Sequence, residues 1–454
     1  MTQSIYVHSL QLQKDKCQGC ICCVKACPTE AVRVRRGKAE ILSDRCIDCG
    51  ACAVACPYHA FTVESMQLEE LKGFAYNIVL PAPSLYAQFP VSVSVEDIWQ
   101  GLHNLGFNEI FDVSLASEYI AKEIGEYVTD YMGGRKPLLS GTCPAVLRLI
   151  QVKFPELIKQ LVPVLAPVEA AAIYVKRQTV SKLGIAPEQV GVWFISPCPS
   201  KETNIKQSVD VEDTQLTGSF SMADIYGKLL KCLGGEAQLK INTGSSYGVG
   251  WGVSGGEIRC AGLDNAIAIH GIDNVYDFLE QASMNKMPQL DYVELSACPG
   301  GCIGGLLAAE NRFVAETNLR QRMMVMRESE CADREETLAK TMILENFPNS
   351  AKYRKKVVPR PMMQLDDDIE AAMAKFERME EVINALPGLD CGACGAPSCQ
   401  CLAEDIVQGK ATEIDCIFKL RGSVHKMAQG MVALVNQIPL YSEPKPIENE
   451  EDMK

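Results

Sequence analysis

The feature that most constrains this chain is a repeat near its start. Cys17-x-x-Cys20-x-x-Cys23-x-x-x-Cys27-Pro28 recurs as Cys46-x-x-Cys49-x-x-Cys52-x-x-x-Cys56-Pro57. Four soft thiolates per run suit an iron–sulfur cluster, and two complete runs with trailing proline argue against zinc. In paired-cluster modules of this spacing the fourth cysteine of each run crosses to the other cluster. Cys17, Cys20, Cys23 and Cys56 are therefore assigned to one [4Fe–4S] cluster, and Cys46, Cys49, Cys52 and Cys27 to a second. Cys22 is surplus to the pattern and is expected as a buried thiol.

Twenty-one cysteines in this spacing read as metal ligands in a reducing compartment, not as disulfides. The segment Met1–Asp15 lacks the apolar region of a signal peptide, and no apolar run of about 18 residues occurs, so a cytoplasmic protein without a membrane span is expected. A net charge of −13 disfavours nucleic acid as a partner.

Residues 1–75 hold the repeat, and residues 76–345 alternate apolar strands with helical patterns. Asn77–Leu80 and Val190–Ile195 read as buried strands, and Met222–Leu233 and Asn274–Ser283 as helices. That alternation predicts an α/β core with mostly parallel sheets, whose functional loops follow the strand ends. Three such loops carry cysteines: Cys143 in Ser-Gly-Thr-Cys-Pro, Cys198 in Ser-Pro-Cys-Pro-Ser-Lys201, and Cys298 with Cys302 in Ala-Cys-Pro-Gly-Gly-Cys. Together they are enough for one further cluster. Gly250-Trp-Gly-Val-Ser-Gly255 matches a dinucleotide fingerprint by letter, but it follows no apolar strand and reads as a loop near this site.

Residues 346–364 are basic and proline-bearing and read as a linker; Leu365–Leu386 reads as an amphipathic helix begun by Asp366, Asp367 and Asp368. Cys391, Cys394, Cys399 and Cys416 then form a four-thiolate set suited to a [4Fe–4S] cluster or zinc, with Cys401 as a spare. The small C-terminal module is bounded at 365–425, followed by a tail at 426–454.

These motifs resemble the [FeFe]-hydrogenases over residues 5–345: an N-terminal two-cluster ferredoxin-like domain, then a Cys-Pro loop, a Pro-Cys-x-x-Lys loop and an Ala-Cys-Pro-Gly-Gly-Cys loop in order. The C-terminal module is similar to the four-cysteine domain of the Rnf complex B subunit. The resemblance implies an H-cluster: a [4Fe–4S] cubane on Cys143, Cys198, Cys298 and Cys302, with Cys302 bridging to a two-iron subcluster that carries carbonyl, cyanide and an azadithiolate. It implies that Lys201 and Ser84 contact the cyanides. H2 and protons would be the substrates, ferredoxin or a signalling protein the redox partner, and maturation proteins the source of the subcluster; a homodimer is compatible with it.

The departures fall on proton handling. Where catalytic members have a proton-carrying cysteine, this chain has Thr142, whose alcohol ionises far above a thiol. Ser196 and Ser296 replace methionines, Asn204 a glutamate, and Tyr86 a basic residue. Glu118, Glu123 and Glu126 read either as proton-path acids or as a solvated helix face. Intact cluster ligands with altered proton delivery are similar to the slow, H2-sensing members of the family. The alternative is an iron–sulfur assembly protein of the Nar type, which lacks the two-iron subcluster.

Overall fold

The computed structural model describes residues 6–233, 243–287, 289–330, 347, 351–362 and 365–437. The chain divides into two units, Met1–Met363 and Gln364–Lys454.

The first unit begins with the small cysteine-rich module. Strands β1 (Leu10–Leu12) and β4 (Phe61–Val63) pair antiparallel and close it, and β2 (Val32–Arg35) and β3 (Lys38–Ile41) form a hairpin between the two cysteine runs. Arg36 and Gly37 make its turn with φ of 52° and 74°, the left-handed pair that lets a two-residue turn follow the strand twist. The apolar interior is small, built from Leu10, Val24, Val32, Ala39 and Ala60 together with cysteine side chains.

Two parallel sheets follow. One has the order β6 (Glu109–Ile110), β5 (Tyr76–Pro81), β8 (Val190–Ser196), β9 (Gly218–Ser221); the other has the order β10 (Ala266–His270), β11 (Tyr292–Ser296), β7 (Leu138–Leu139). Every pairing within them is parallel. All seven residues of β8 are buried, as expected for a central parallel strand covered on both faces. Trp193 on β8 is fully buried and donates its Nε1–H to Asn77 Oδ1 at 2.8 Å, so its one polar atom is satisfied inside the core. The expected strands and helices lie within one to four residues of the observed ones, the helices being Met222–Leu229 and Ile272–Ser283.

The reading of 346–364 as a linker is corrected for its described part. Leu165 N–H donates to Ala351 O at 2.6 Å, Tyr353 N–H to Pro163 O at 2.8 Å, and Arg360 stacks 3.6 Å from the centre of the Tyr6 ring. Ala351, Val357 and Arg360 are buried. Basic side chains gave the segment its solvated look, but its backbone is hydrogen-bonded to the core, where an unpaired amide would be costly. It is a strap across the first unit.

The second unit starts with the helix Ile369–Ala385, capped by Asp368, whose carboxylate accepts from Ala371 N–H at 2.9 Å. Only its C-terminal half docks: Met379, Val382 and Leu386 are buried, whereas Ile369, Met373 and Phe376 of the expected stripe are exposed. The helix Cys399–Val407 packs on it, and the helix Ile417–Gln437 ends the described chain. This last helix runs through the expected boundary at 425/426. No helix among the described residues is long and apolar enough to cross a membrane.

Candidate functional site

In the first unit the three cysteine loops meet at the strand ends. Cys143 and Cys198 each cap a helix, Pro144–Lys153 and Pro199–Lys206, with proline in the first turn. A sulfur placed there sits at the positive end of the helix dipole. Cys298 and Cys302 lie beyond β11 in the loop leading to a 3-10 turn at Cys302–Gly304. The loops are sewn together through backbone: Leu307 N–H donates to Pro197 O at 2.9 Å, and Ser254 N–H to Gly300 O at 3.0 Å. Gly301, at φ 92°, would bring a Cβ within 2.7 Å of Ser254 N, so only glycine fits where the fingerprint-like loop crosses. That loop is therefore part of the site wall, as its sequence context suggested.

The four thiols feel one another. Burial raises Cys198 to about 12, with Cys143 and Cys302 adding to the rise and Lys201 opposing it. Burial likewise pushes Cys298 far up, followed by Cys198, Cys143, Cys302 and then Cys49 of the cysteine-rich module. Burial works against the Lys201 ammonium, yet the Cys302, Cys198 and Cys143 sulfurs together hold it above the ordinary lysine value. Cys198, Cys298 and Cys302, each pushed up first by burial, keep their protons until a strongly binding cation displaces them. Beside them lies a cavity of about 340 Å³ lined by Thr142, Lys201, Glu169, Asp210, Asn204 and Phe194 among others. Ser84, at the start of the turn after β5, is fully buried, and its Oγ has no hydrogen-bond partner. Its backbone packs against Gly252, whose added Cβ would lie 3.2 Å from Ser84 N.

In the N-terminal module the buried cysteines lie close enough to raise one another's pKa. The shift of Cys23 reflects burial and then Cys20, Cys17 and Cys56. That of Cys52 reflects burial and then Cys49, Cys27 and Cys23, and that of Cys46 includes Cys27 and Cys52. Cys27, Cys46, Cys49 and Cys52 share a cavity of about 330 Å³. Cys22 is exposed, which corrects the expectation of a buried thiol: it opens a four-residue helix whose other face carries Cys23 and Val24 inward. In the second unit, Cys391, Cys394, Cys399 and Cys416 line one cavity of about 300 Å³, while Cys401 is buried in the apolar core.

The side of the site that sequence reading missed is acidic. Thr142 Oγ1–H donates to Glu257 Oε2 at 2.7 Å, and the Tyr292 hydroxyl donates to the other oxygen of the same carboxylate. Glu257 is buried, and burial raises its pKa against the opposing hydrogen bonds of Tyr292, Thr142 and Ser140. Glu294 stands behind it. Burial and then the Glu257 charge raise Glu294 to about 8, while Gly255 and Ile258 N–H groups donate to its two oxygens at 2.8 and 3.2 Å. A signal was present: Glu294 is a lone acid inside the apolar strand Tyr292–Ser296. Glu257 had none, because it sits on the six-residue helix Gly256–Ala261 after the fingerprint-like loop.

Other departures acquire partners. Ser196 Oγ accepts from Cys198 N–H at 3.3 Å and donates to Cys198 O at 3.0 Å, pinning that loop. Arg148 is buried and donates to Ser200 O, Ser200 Oγ, Asn204 Oδ1 and Gln207 O, tying together the two cysteine-capped helices. Asn204 in turn donates to Asp210 Oδ1 at 3.1 Å. Tyr86 is buried and accepts from Trp99 Nε1–H at 3.1 Å. Glu126 pairs with Lys122 at 3.9 Å on an exposed face, while Glu118 accepts from Ser245 N–H. Cys232 and Cys260 are half-buried, and Cys331 lies outside the described residues.

Comparison with known proteins agrees with these motifs. The profile of the iron-only hydrogenase large subunit, C-terminal domain, matches residues 75–262 and 252–306. A 4Fe-4S dicluster domain matches residues 9–57, and an Fe–S cluster domain matches residues 386–418. Iron hydrogenase 1 of Clostridium pasteurianum is 26% identical over 283 residues, covering 50% of this chain and 49% of its own length. The periplasmic [Fe] hydrogenase large subunit of Nitratidesulfovibrio vulgaris is 24% identical over 362 residues, covering 66% of this chain and 86% of its own length. The chain spans about half the length of the first curated relatives it matches. A solved structure of the [FeFe]-hydrogenase HydA(deltaEFG) aligns with TM-score 0.50 at 17% identity, over 64% of this chain and 98% of that one, and shares the fold.

Proposed function

Because this chain belongs to the iron-only hydrogenase family, we propose that it interconverts H2 with two protons and two electrons, slowly, in an H2-sensing role. The observation that carries the reading is the convergence of Cys143, Cys198 and Cys302 on the Lys201 ammonium, beside a cavity lined by Thr142 and Lys201. This donor set fits the H-cluster. Cys143, Cys198, Cys298 and Cys302 would hold its cubane, and Cys302 would join the cubane to the two-iron part. When bound, that group supplies reversible two-electron chemistry at H2.

The chain's own residues do the rest. Lys201 offers N–H donors and a positive charge to an anionic ligand, and Ser84 offers its unused hydroxyl. Thr142 passes a proton through its hydroxyl to Glu257, a buried carboxyl whose raised pKa brings it closer to working pH. Glu294, at about 8, is the carboxyl that feels the Glu257 charge. A hydroxyl relay is slower than a thiol one, because an alcohol does not ionise near neutrality. Slow turnover suits a sensor better than a bulk catalyst. Electrons would leave through the clusters on Cys46, Cys49, Cys52 and Cys27 and then on Cys17, Cys20, Cys23 and Cys56, toward a ferredoxin or a signalling partner in the cytoplasm. Cys391, Cys394, Cys399 and Cys416 would hold a further [4Fe–4S] cluster.

The test is infrared spectroscopy on anaerobically matured protein, with H2 uptake measured on the same sample. The expected result is a set of iron-bound carbonyl and cyanide bands together with slow H2 turnover. Intact iron–sulfur absorption without those bands would place the chain with the assembly-type relatives instead.

A further inference from the structure

The helix Ile417–Gln437 closes the C-terminal module and then leaves it. None of its residues is buried, and it extends past the Fe–S domain match, which stops at residue 418. It contains Gly422 and Gly430 and no acidic residue. Each interior glycine costs about 1 kcal/mol against alanine. A lone helix of this kind is marginal in water, since most helical stability in proteins comes from packing an apolar face.

Six of its apolar residues fall in a strict pattern. Ile417, Leu420, Val424, Met427, Met431 and Leu434 alternate steps of three and four, and each of these six is at least 45% exposed. These are the a and d positions of three heptads, a period that makes two like helices wind around each other. Ile417 and Val424 at a, with Leu420 and Leu434 at d, are the residues that favour two strands in a parallel coil, with Met431 and Met427 filling the remaining a and d positions. The flanking g and e positions would pair Ser423 with Ala428 and Gly430 with Val435 across such a dimer. No like charges meet there.

We infer that this helix is a homodimerisation element, forming a parallel two-stranded coiled coil with the same helix of a second copy of this chain. The seam is self-complementary, as a two-fold interface requires. Twenty-one residues give a helix about 32 Å long. Six seam side chains per helix, each removing on the order of 100 Å² from water, give roughly 1,200 Å² for the pair, the lower bound of stable specific interfaces. The pairing has a functional consequence. Cys416 immediately precedes the first a position, so a parallel dimer holds the two C-terminal cysteine sites at the same end of the coil. An antiparallel one would separate them by the length of the helix. Electrons or a signal could then cross between copies at that end.

Light scattering after size-exclusion chromatography of the anaerobically purified full chain, at micromolar concentration, tests this. The expected mass is twice the 49.7 kDa of one chain. The double variant Leu420→Glu/Leu434→Glu should fall to a single chain while keeping its full iron content, which shows that the module still folds. Val432→Glu, an exposed apolar position off the seam, should stay dimeric. Ser423→Glu/Ala428→Lys should also stay dimeric, because a parallel coil brings these opposite charges together and an antiparallel one sets like against like. A monomeric wild-type chain, or a dimer indifferent to the seam variant, overturns the inference. Equal dissociation by Val432→Glu overturns the heptad seam, and dissociation by the charge pair overturns the parallel orientation.

Discussion

Thr142 and Cys143 are neighbours in the chain and belong to two different chemistries. Cys143 joins three other sulfurs gathered by tight backbone loops at helix N-termini. The Thr142 hydroxyl turns to a buried carboxylate, Glu257, with Glu294 behind it. The sulfur side is set by short-range geometry: proline in the first helical turn, glycine where backbones cross, and a ligand at a fixed offset. The acid side is assembled from the Thr142 loop, a short helix and the strand β11, and no local spacing rule joins them. The lesson is that a metal cradle and the proton environment beside it can change independently. In this chain cysteines stand at 143, 198, 298 and 302, while the neighbouring Thr142 turns its hydroxyl to Glu257.

The sharpest way to break the comparison is to remove a sulfur. Cys302→Ser should abolish H2 turnover and lower the iron content by the whole core site, with the N-terminal iron retained; iron analysis and Mössbauer spectra check this. Turnover that survived would mean that the sulfur side is not where the chemistry occurs. A smaller effect is expected from Thr142→Cys, which restores a thiol whose ordinary pKa lies within reach of neutrality. It should raise the H2-evolution rate by about tenfold, toward the contribution of a well-matched proton carrier. An unchanged rate would show that this step does not limit turnover.

How much of this was legible follows the same division. The strands Asn77–Leu80 and Val190–Ile195, the 4Fe-4S dicluster domain and the Fe–S cluster domain of the second unit were readable because apolar runs and cysteine spacing are local signals. The strap at 351–362 was not. Its lysines and arginines suggest solvent, and only the tertiary fold pairs its backbone with Pro163, Leu165 and Asp210. Cys22 was misread because the extra thiol falls on the outer face of a one-turn helix. Glu257 and Arg148 were invisible because their partners lie 115 and more than 50 residues away in sequence.

The pH dependence of stability is a subtler probe of the acid side. Glu294 has a folded-state pKa of about 8, above the ordinary carboxyl value. A group raised in this way contributes stability fully below its unfolded pKa near 4.5, and that contribution is lost as pH rises through about 8. The thermal unfolding midpoint of the wild-type protein should therefore fall between about pH 5 and pH 8, and Glu294→Gln should flatten that fall. Identical slopes would mean that Glu294 is ionised throughout. The smallest effect is expected at Cys22→Ala, an exposed thiol outside both quartets. It should leave iron content and turnover unchanged, and a loss of iron would bring that sulfur back among the ligands.

The most direct test of the independence of the two sides is Glu257→Gln, with infrared spectra and H2-evolution rates recorded on the same matured sample. The account predicts the same set of iron-bound carbonyl and cyanide bands as the wild-type protein, with a rate lower by about 10²-fold, the low end of what a positioned proton carrier supplies. Loss of the bands would show that Glu257 builds the metal site, and an unchanged rate would show that protons travel by another route; either result contradicts the account.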